Sequence, residues 1–289
     1  SGAEGLQETH AAFEVFSELA IPNANAKERM KKMKTSYLSN FLPLYGPWVG
    51  HEVPRVLLRS REGSLVGFDP FSKDLSNYNQ IVAGGSGSGK SFLTNLILLQ
   101  MLKENPKVFI VDIGGSYKKL SNNLSGQYVP FNLSGSLSIN PFDLGADEKT
   151  PSNEKIKFLV GLIEMMTKED GEDRLGRLER AEIEEAIASL YRESSTPNLS
   201  RLREKFLRHE MPEISRLGKI LAPWCGDTPF GKLVDRKTTL ELEKNIVSFD
   251  LKGLEAQPDL QAVCLYIITD FVWREVQRDK SRMKFLVFT

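Results

Sequence analysis

One eight-residue segment of this sequence has the residue types and the spacing to hold a polyphosphate. It reads GGSGSGKS from Gly84 to Ser91, and it matches the pattern G-x-x-x-x-G-K-[ST] at every fixed position. Glycines let backbone N–H groups approach phosphate oxygens, the lysine brings a positive charge to the terminal phosphates, and the serine hydroxyl is a ligand for Mg²⁺. The expected ligands are therefore ATP or ADP together with Mg²⁺.

Specific roles follow from this pattern. Lys90 is the catalytic candidate of the loop, and Ser91 is the candidate metal ligand. Asp112 is a second catalytic candidate, with Asp250 as its alternative, because both follow apolar segments and ligand sites in open α/β sheets lie at the carboxyl ends of strands. The candidate cofactor-binding residues are Gly84, Gly85, Ser86, Gly87, Ser88, Gly89, Lys90, Ser91 and Phe92.

The same glycine and serine composition is typical of a flexible linker, but the flanking residues argue against that interpretation. Gln80–Ala83 is a short β-branched run that predicts a core strand ending at the loop. Apolar residues then recur at helical spacing, at Phe92, Leu93, Leu96, Ile97, Leu99 and Met101. A helix that begins near Lys90 would turn its positive end toward an anion.

The rest of the chain divides by its apolar periodicity. Strand-like runs occur within 107–115, 245–251 and 284–288, and a long amphipathic helix is predicted around 260–276. A helix crossing from Gln80–Ala83 to the first of these strands would complete a right-handed βαβ unit. We expect a helical lead-in (1–36) and a first core part with a small β-rich opening (37–150). An all-helical insertion (151–224) and a second core part (225–289) follow.

Composition excludes several classes of protein. Lys plus Arg (38) equals Asp plus Glu (38), so no net field would recruit nucleic acid or an acidic membrane. The longest apolar stretch, Val263–Ile268, is far shorter than the roughly 20 residues of a membrane span. Cys225 and Cys264 are too few for a disulfide scaffold or a zinc cluster. We therefore expect a reduced, cytoplasmic protein without membrane insertion.

Five segments, in order, resemble the ATPase core of TraC-type conjugation proteins, the motor ATPases of type IV secretion systems. This ordered set is more specific than the phosphate-binding motif alone, and the resemblance covers residues 37–289. It implies an α/β fold, a RecA-like P-loop NTPase sheet with an inserted all-helical subdomain. The segments are LPLYG (42–46) leading to DPF (69–71), NYN (77–79), VDIGGSYK (111–118), INPF (139–142) and FDLKGL (249–254).

This resemblance implies an ATPase that powers pilus assembly and the transfer of DNA or protein substrate. It also implies a homo-oligomer, a hexameric ring in the intact protein, with components of the secretion channel as partners and DNA or nucleoprotein as a candidate substrate. The implied location is the cytoplasm, at the inner membrane through the secretion complex. Two alternatives stay open: a DNA-pumping ATPase of the FtsK or HerA kind, and a nucleotide-binding assembly module without turnover.

The sequence also departs from that family. Lys284–Phe288 has the character of the Walker B strand, which carries a magnesium-supporting aspartate in P-loop ATPases. Thr289 is the last residue and no acid follows it, so we expect the usual catalytic carboxylates to be absent and hydrolysis by this chain to be impaired. The alternative is an ordinary core strand, with Asp112 or Asp250 as the acid. From the short lead-in we also expect the large N-terminal docking domain of such proteins to be absent from this chain.

Overall fold

The structure, a computed structural model, describes residues 34–35, 48–144, 148, 150–168, 175–242 and 244–289. The chain divides into two compact units between Asp69 and Pro70. Apart from residues 34 and 35, the predicted helical lead-in 1–36 lies outside the described residues. The domain boundaries proposed from the sequence remain predictions.

The described part of the first unit is built around a β-hairpin. Strands β1 (Val56–Arg59) and β2 (Leu65–Phe68) pair antiparallel within the segment that the sequence predicts to be β-rich. The turn between them is closed by a hydrogen bond from the Ser60 N–H to the Ser64 carbonyl at 2.9 Å. It also contains Gly63 with a φ of +87°, a conformation that favours glycine.

The second unit contains a parallel sheet of four strands in the order β4-β5-β3-β6. Asp112, at the end of β3, lies directly opposite Asp250, at the end of β5. The carboxyl ends of these neighbouring strands therefore place the two candidate acids side by side. We call this side of the sheet, where the parallel strands end, its carboxyl-terminal edge. The strands are β3 (Lys107–Asp112), β4 (Gln127–Pro130), β5 (Ile246–Asp250) and β6 (Lys284–Phe288).

Helices cover both faces of β3. Because side chains alternate along a strand, Phe109 and Val111 enter a large core, while Val108 and Ile110 enter a smaller one. This explains why β3 is a continuous apolar run. The helices are α1 (Lys90–Met101), α2 (Lys118–Asn123), α3 (Asn153–Thr167), α4 (Arg177–Glu193), α5 (Leu199–Leu207), α6 (Pro212–Ile220), α7 (Gly231–Val234) and α8 (Pro258–Arg278).

Helices α3 to α6 lie within the segment 151–224 that the sequence predicts to be helical. Their starts have recognisable caps: Ser152 accepts a hydrogen bond from the Lys155 N–H at 3.1 Å, and Asn198 accepts one from the Arg201 N–H at 3.0 Å. Buried residues of these helices belong to the same large core as Phe109 and Phe249 of the sheet. The helical segment therefore shares its core with the sheet.

The prediction of a core strand at Gln80–Ala83 is wrong. These residues form no strand, and Ile81 is 94% exposed. A β-branched run forms a strand only where another strand can pair with it, and the described residues supply none: β6 pairs with β3 on one side and with no described strand on the other. The predicted βαβ unit through this segment is therefore not formed either.

The sequence interpretation also missed strand β4. This strand, Gln127–Pro130, has four residues, is only partly buried and ends in a proline. Its residue types therefore give little indication of a strand. Only pairing with β5 makes them a strand, with Gln127 opposite Val247. Pro130 sits at the outer end of an edge strand, where its missing N–H costs no ladder hydrogen bond.

Adjacent methionines on α3 provide a test of how this helix packs. Met166 belongs to the large core and is 5% exposed, whereas Met165 is 40% exposed. We expect Met166→Ala to lower the free energy of unfolding by about 2–5 kcal/mol, because it removes buried apolar atoms and leaves a cavity. Met165→Ala, the matched control, should change it by less than about 1 kcal/mol. Urea unfolding followed by circular dichroism measures both, and equal effects would contradict the packing of α3.

Candidate nucleotide-binding site

The glycine-rich loop has a backbone that only glycines adopt readily. Gly87 and Gly89 have φ values of +73° and +93°, in the left-handed region. At Gly84 an added Cβ would lie 2.4 Å from the Ser88 hydroxyl oxygen, so this glycine keeps the loop closed on itself. No Cβ projects from these positions, which leaves backbone N–H groups accessible to an anion.

Helix α1 begins directly after the loop, with Gly89 as its N-cap. This end has no side-chain cap and no acidic residue in the first turn. The first N–H groups of a helix have no partner within the helix, and the aligned peptide dipoles make this end positive. The loop and the start of α1 therefore fit the phosphate groups of a nucleotide.

Lys90 lies across the mouth of this loop. Its Nζ donates hydrogen bonds to the carbonyl oxygens of Gly84 and Gly85, both at 2.9 Å. Carbonyl oxygens hold the ammonium group in place without neutralising its charge. A phosphate group would compete favourably for the same ammonium, since a charged acceptor forms the stronger hydrogen bond.

An open cavity of about 700 Å³ adjoins the loop. The polar part of its lining includes Lys90, Ser91 and Thr94. An aromatic pair, Phe71 and Tyr78, also lines the cavity, with ring centroids 5.3 Å apart. The size and the mixed lining are typical of small-molecule sites. Lys90 and Ser91 thus face a space that a ligand can enter.

Phe92 is the last residue of the predicted cofactor-binding set. Its side chain is 73% exposed, so it contributes nothing to the core that holds α1. The face of α1 that packs inward instead carries Ile97, Leu98 and Met101. Contact between Phe92 and a nucleotide remains a prediction.

Asp112 lies at the end of β3 and is 3% exposed. Its carboxylate accepts hydrogen bonds from the N–H groups of Gly114 at 3.0 Å and Ser116 at 2.5 Å, and from the hydroxyl of Thr289 at 2.9 Å. These bonds stabilise the turn that follows β3 and explain why an acid precedes the two glycines of this motif. The catalytic role assigned to Asp112 remains a prediction.

Asp250 plays an equivalent part at the end of β5. It accepts hydrogen bonds from the Lys252 N–H at 2.9 Å and from the hydroxyl of Tyr128. Burial, reinforced by the hydrogen bond to Asp250 and by its negative charge, raises the pKa of Tyr128 to about 12. Both acids at this edge therefore hold the loops that follow their strands.

Two residues of this region were not identified from the sequence. Thr289 extends the pairing of β6 with β3, since its N–H donates to the Val111 carbonyl at 3.0 Å while its hydroxyl contacts Asp112. Tyr117 is completely buried below the turn that follows β3. A tyrosine five residues after Asp112 gave no signal of burial on its own, because only the packing of α1 against β3 encloses it.

Cys225 and Cys264 are both buried free cysteines, and burial raises the pKa of Cys225 to about 12. Among the described helices, none has the length and apolar character needed to cross a membrane.

A glycine-rich loop that leads into an uncapped helix beside a parallel sheet defines a P-loop nucleotide-binding domain. The family model of the TraG P-loop domain matches residues 66–289. The chain therefore belongs to the TraG P-loop domain family.

Comparison with individual proteins agrees with this assignment. Protein TraC of Escherichia coli (strain K12) is 24% identical over 229 residues, which is 72% of this chain and 24% of TraC. The chain thus spans about a quarter of the length of that relative. The structure of VirB4 of Thermoanaerobacter pseudethanolicus matches with a TM-score of 0.71 at 22% identity, over 83% of this chain and 68% of the other. The resemblance to TraC and the predicted α/β fold are confirmed.

The role of Ser91 is open to a direct test. We expect Ser91→Ala to weaken binding of Mg-ATP by about tenfold, because it removes a hydroxyl ligand of the cation, and to leave binding of metal-free ATP within about twofold. Calorimetric titration with and without Mg²⁺ measures both affinities. Ser136→Ala, at an exposed serine outside the loop, is the control. An equal loss with and without Mg²⁺ would contradict the assignment of Ser91 as a metal ligand.

Proposed function

We propose that this chain is the nucleotide-binding core of a motor ATPase that serves a type IV secretion or conjugation system. The observation that carries the proposal is the loop Gly84–Ser91 with its lysine, within a domain of the TraG P-loop family. A P-loop of this kind is used for binding nucleoside triphosphates with Mg²⁺. The proposed activity is hydrolysis of ATP.

Each group of residues in the site has a separate role in binding the nucleotide. The loop backbone and the start of α1 hold the phosphates, the Lys90 ammonium compensates their charge, and the Ser91 hydroxyl holds Mg²⁺. When bound, Mg-ATP supplies the phosphoanhydride bond whose cleavage releases free energy. Asp112 is our candidate for a carboxylate that acts on the nucleotide site.

The secretion role rests on similarity. Five ordered segments resemble TraC-type proteins, and TraC is a relative at 24% identity. From this we infer a part in pilus assembly and in transfer of DNA or protein substrate, and a homo-oligomeric ring, hexameric in the intact protein. The proposed partners are components of the secretion channel, which would hold the protein at the cytoplasmic side of the inner membrane.

One observation favours a second candidate, a nucleotide-binding assembly module without turnover. The carboxylates of Asp112 and Asp250 both accept hydrogen bonds from the turns that follow their strands. A carboxylate held in this way is less available to activate a water molecule. Steady-state release of phosphate distinguishes the two candidates, since only a motor ATPase turns over continuously.

Substitution of Lys90 tests the nucleotide site. We expect Lys90→Ala to weaken binding of Mg-ATP by at least about 100-fold, because the site loses the charge that compensates the terminal phosphates. Circular dichroism should be unchanged, since the Lys90 ammonium contacts only two loop carbonyls. Lys219→Ala, on the exposed surface of α6, is the control. Unchanged affinity in calorimetric titration would refute the phosphate-binding role.

The motor role is tested in the natural gene product that carries this sequence. Wild-type protein should release phosphate from Mg-ATP and support transfer of its genetic element to a recipient cell. Lys90→Ala should abolish both, by at least about 100-fold, while the amount of protein stays the same. Transfer that persists without phosphate release would instead support the assembly module.

A further inference from the structure

Tyr117 has a hydroxyl group that the fold itself leaves unsatisfied. The residue is 0% exposed, and among the described residues it has the largest of the fully buried side chains. Its ring packs in the smaller core with Leu98 of α1 and with Val108 and Ile110 of β3. Its hydroxyl oxygen is enclosed, yet it makes no hydrogen bond with any described residue. A buried polar atom without a partner costs about 1–3 kcal/mol, so its presence requires an explanation.

The residues around this hydroxyl come both from the nucleotide site and from the carboxyl-terminal edge of the sheet. Burial, together with the negative charge of Asp112, raises the pKa of Tyr117, while the nearby hydroxyls of Thr94, Ser91 and Thr289 act in the opposite direction. Thr94 and Ser91 belong to the first turns of α1, and Thr289 follows β6. Ser91, Thr94 and Thr289 line the same cavity beside the loop, and the ring of Tyr117 packs between α1 and β3 next to them. The Tyr117 hydroxyl keeps its proton at neutral pH.

Two of these three hydroxyls have partners of their own. Thr94 Oγ1 donates to the Lys90 carbonyl at 3.1 Å, and Thr289 Oγ1 donates to Asp112 Oδ1 at 2.9 Å. The hydroxyl of Ser91 has no such bond among the described residues. Ser91 and Tyr117 thus have neighbouring hydroxyls, and neither hydroxyl is hydrogen-bonded within the part of the chain that the structure describes.

A serine that binds a cation through its oxygen needs an acceptor for its own proton. Each hydroxyl can donate one hydrogen bond and accept two. The four groups can form a series of hydrogen bonds. Ser91 can donate to Tyr117, Tyr117 can donate to Thr289, and Thr289 already donates to the Asp112 carboxylate. A chain in this direction ends on a negative charge, and it leaves the lone pairs of Ser91 free for the metal.

We propose that Tyr117 is a positioning residue for the magnesium site, which orients the Ser91 hydroxyl and connects it to Thr289 and Asp112. The inference rests on the proposed nucleotide-binding function of the loop. It assigns a second task to Asp112, which anchors the far end of the hydroxyl chain in addition to holding its own turn. No covalent step is involved, because each group keeps its proton.

A purely structural role for Tyr117 predicts a different outcome. Phenylalanine fills the same core and lacks the unpartnered oxygen, so Tyr117→Phe should leave stability unchanged or raise it. If the hydroxyl had no further role, nucleotide binding would be unaffected as well. The positioning role instead predicts a loss in binding that appears only when Mg²⁺ is present.

The experiment is calorimetric titration of the whole chain with ATP, with Mg²⁺ and with EDTA. For Tyr117→Phe we expect about a tenfold loss of affinity for Mg-ATP and less than about a twofold change for metal-free ATP. Ser91→Ala combined with Tyr117→Phe should bind Mg-ATP no more weakly than Ser91→Ala alone, because the two hydroxyls act as one unit. Tyr128→Phe is the matched control, since its hydroxyl contacts Asp250 at the same edge of the sheet.

Each outcome decides the question. If wild-type protein binds Mg-ATP and Tyr117→Phe binds it equally well, the positioning role is wrong while the nucleotide site stands. If wild-type protein binds no nucleotide, the proposed function itself fails. Thr289→Val provides a second variant that leaves the core intact, should Tyr117→Phe disturb folding. It should reproduce the magnesium-dependent loss, and normal binding by this variant would overturn the chain of hydroxyls.

Discussion

The burial of β3 on both faces is the constraint on which the second unit depends. Its alternating residues enter two separate cores, and both of its edges carry a parallel partner, β5 on one side and β6 on the other. A strand in this position must be apolar throughout and can become polar only where it ends. Asp112 occupies that end, so the place where the strand leaves the core is also the place where the first acid appears. The polar chemistry of the protein is concentrated at this edge for the same reason.

At that edge, hydrogen bonds from backbone N–H groups to side-chain carboxylates hold the turns that adjoin the site. Asp112 and Asp250 accept the N–H groups of the turns that follow their strands, which fixes the direction in which each chain leaves the sheet. The turn after β3 returns Tyr117 beneath α1, where its ring joins Leu98 in the smaller core. The loop that precedes α1 contains two glycines in left-handed conformations. Because α1 packs on β3 through Leu98, the sheet also positions the loop that precedes α1.

The helical segment is joined to the sheet by charge as well as by apolar contact. Lys155 of α3 lies 2.8 Å from Asp270 of α8, and Arg274 lies 3.2 Å from the same carboxylate. Burial, together with the charge of Arg274, lowers the pKa of Lys155 to about 8. Removing Asp270 would leave the buried Lys155 ammonium without its carboxylate, so the pair makes the contact between α3 and α8 specific. Since α8 leads into β6, this contact links the helical segment to the strand that ends beside Asp112.

The sequence by itself determined the elements whose signal is local. The loop Gly84–Ser91 was identified from its motif, β3, β5 and β6 from apolar runs, and α8 from its periodicity, because these signals do not depend on a neighbour. Tertiary structure decided the rest. Gln80–Ala83 has the composition of a strand but no described partner, while Gln127–Pro130 has little strand character and becomes one beside β5. The hydroxyl cluster of Tyr117, Thr289 and Ser91 joins residues from distant parts of the chain, and only the packing of α1 and β6 around β3 brings them together, because contacts of this kind depend on strand order, which no local pattern encodes.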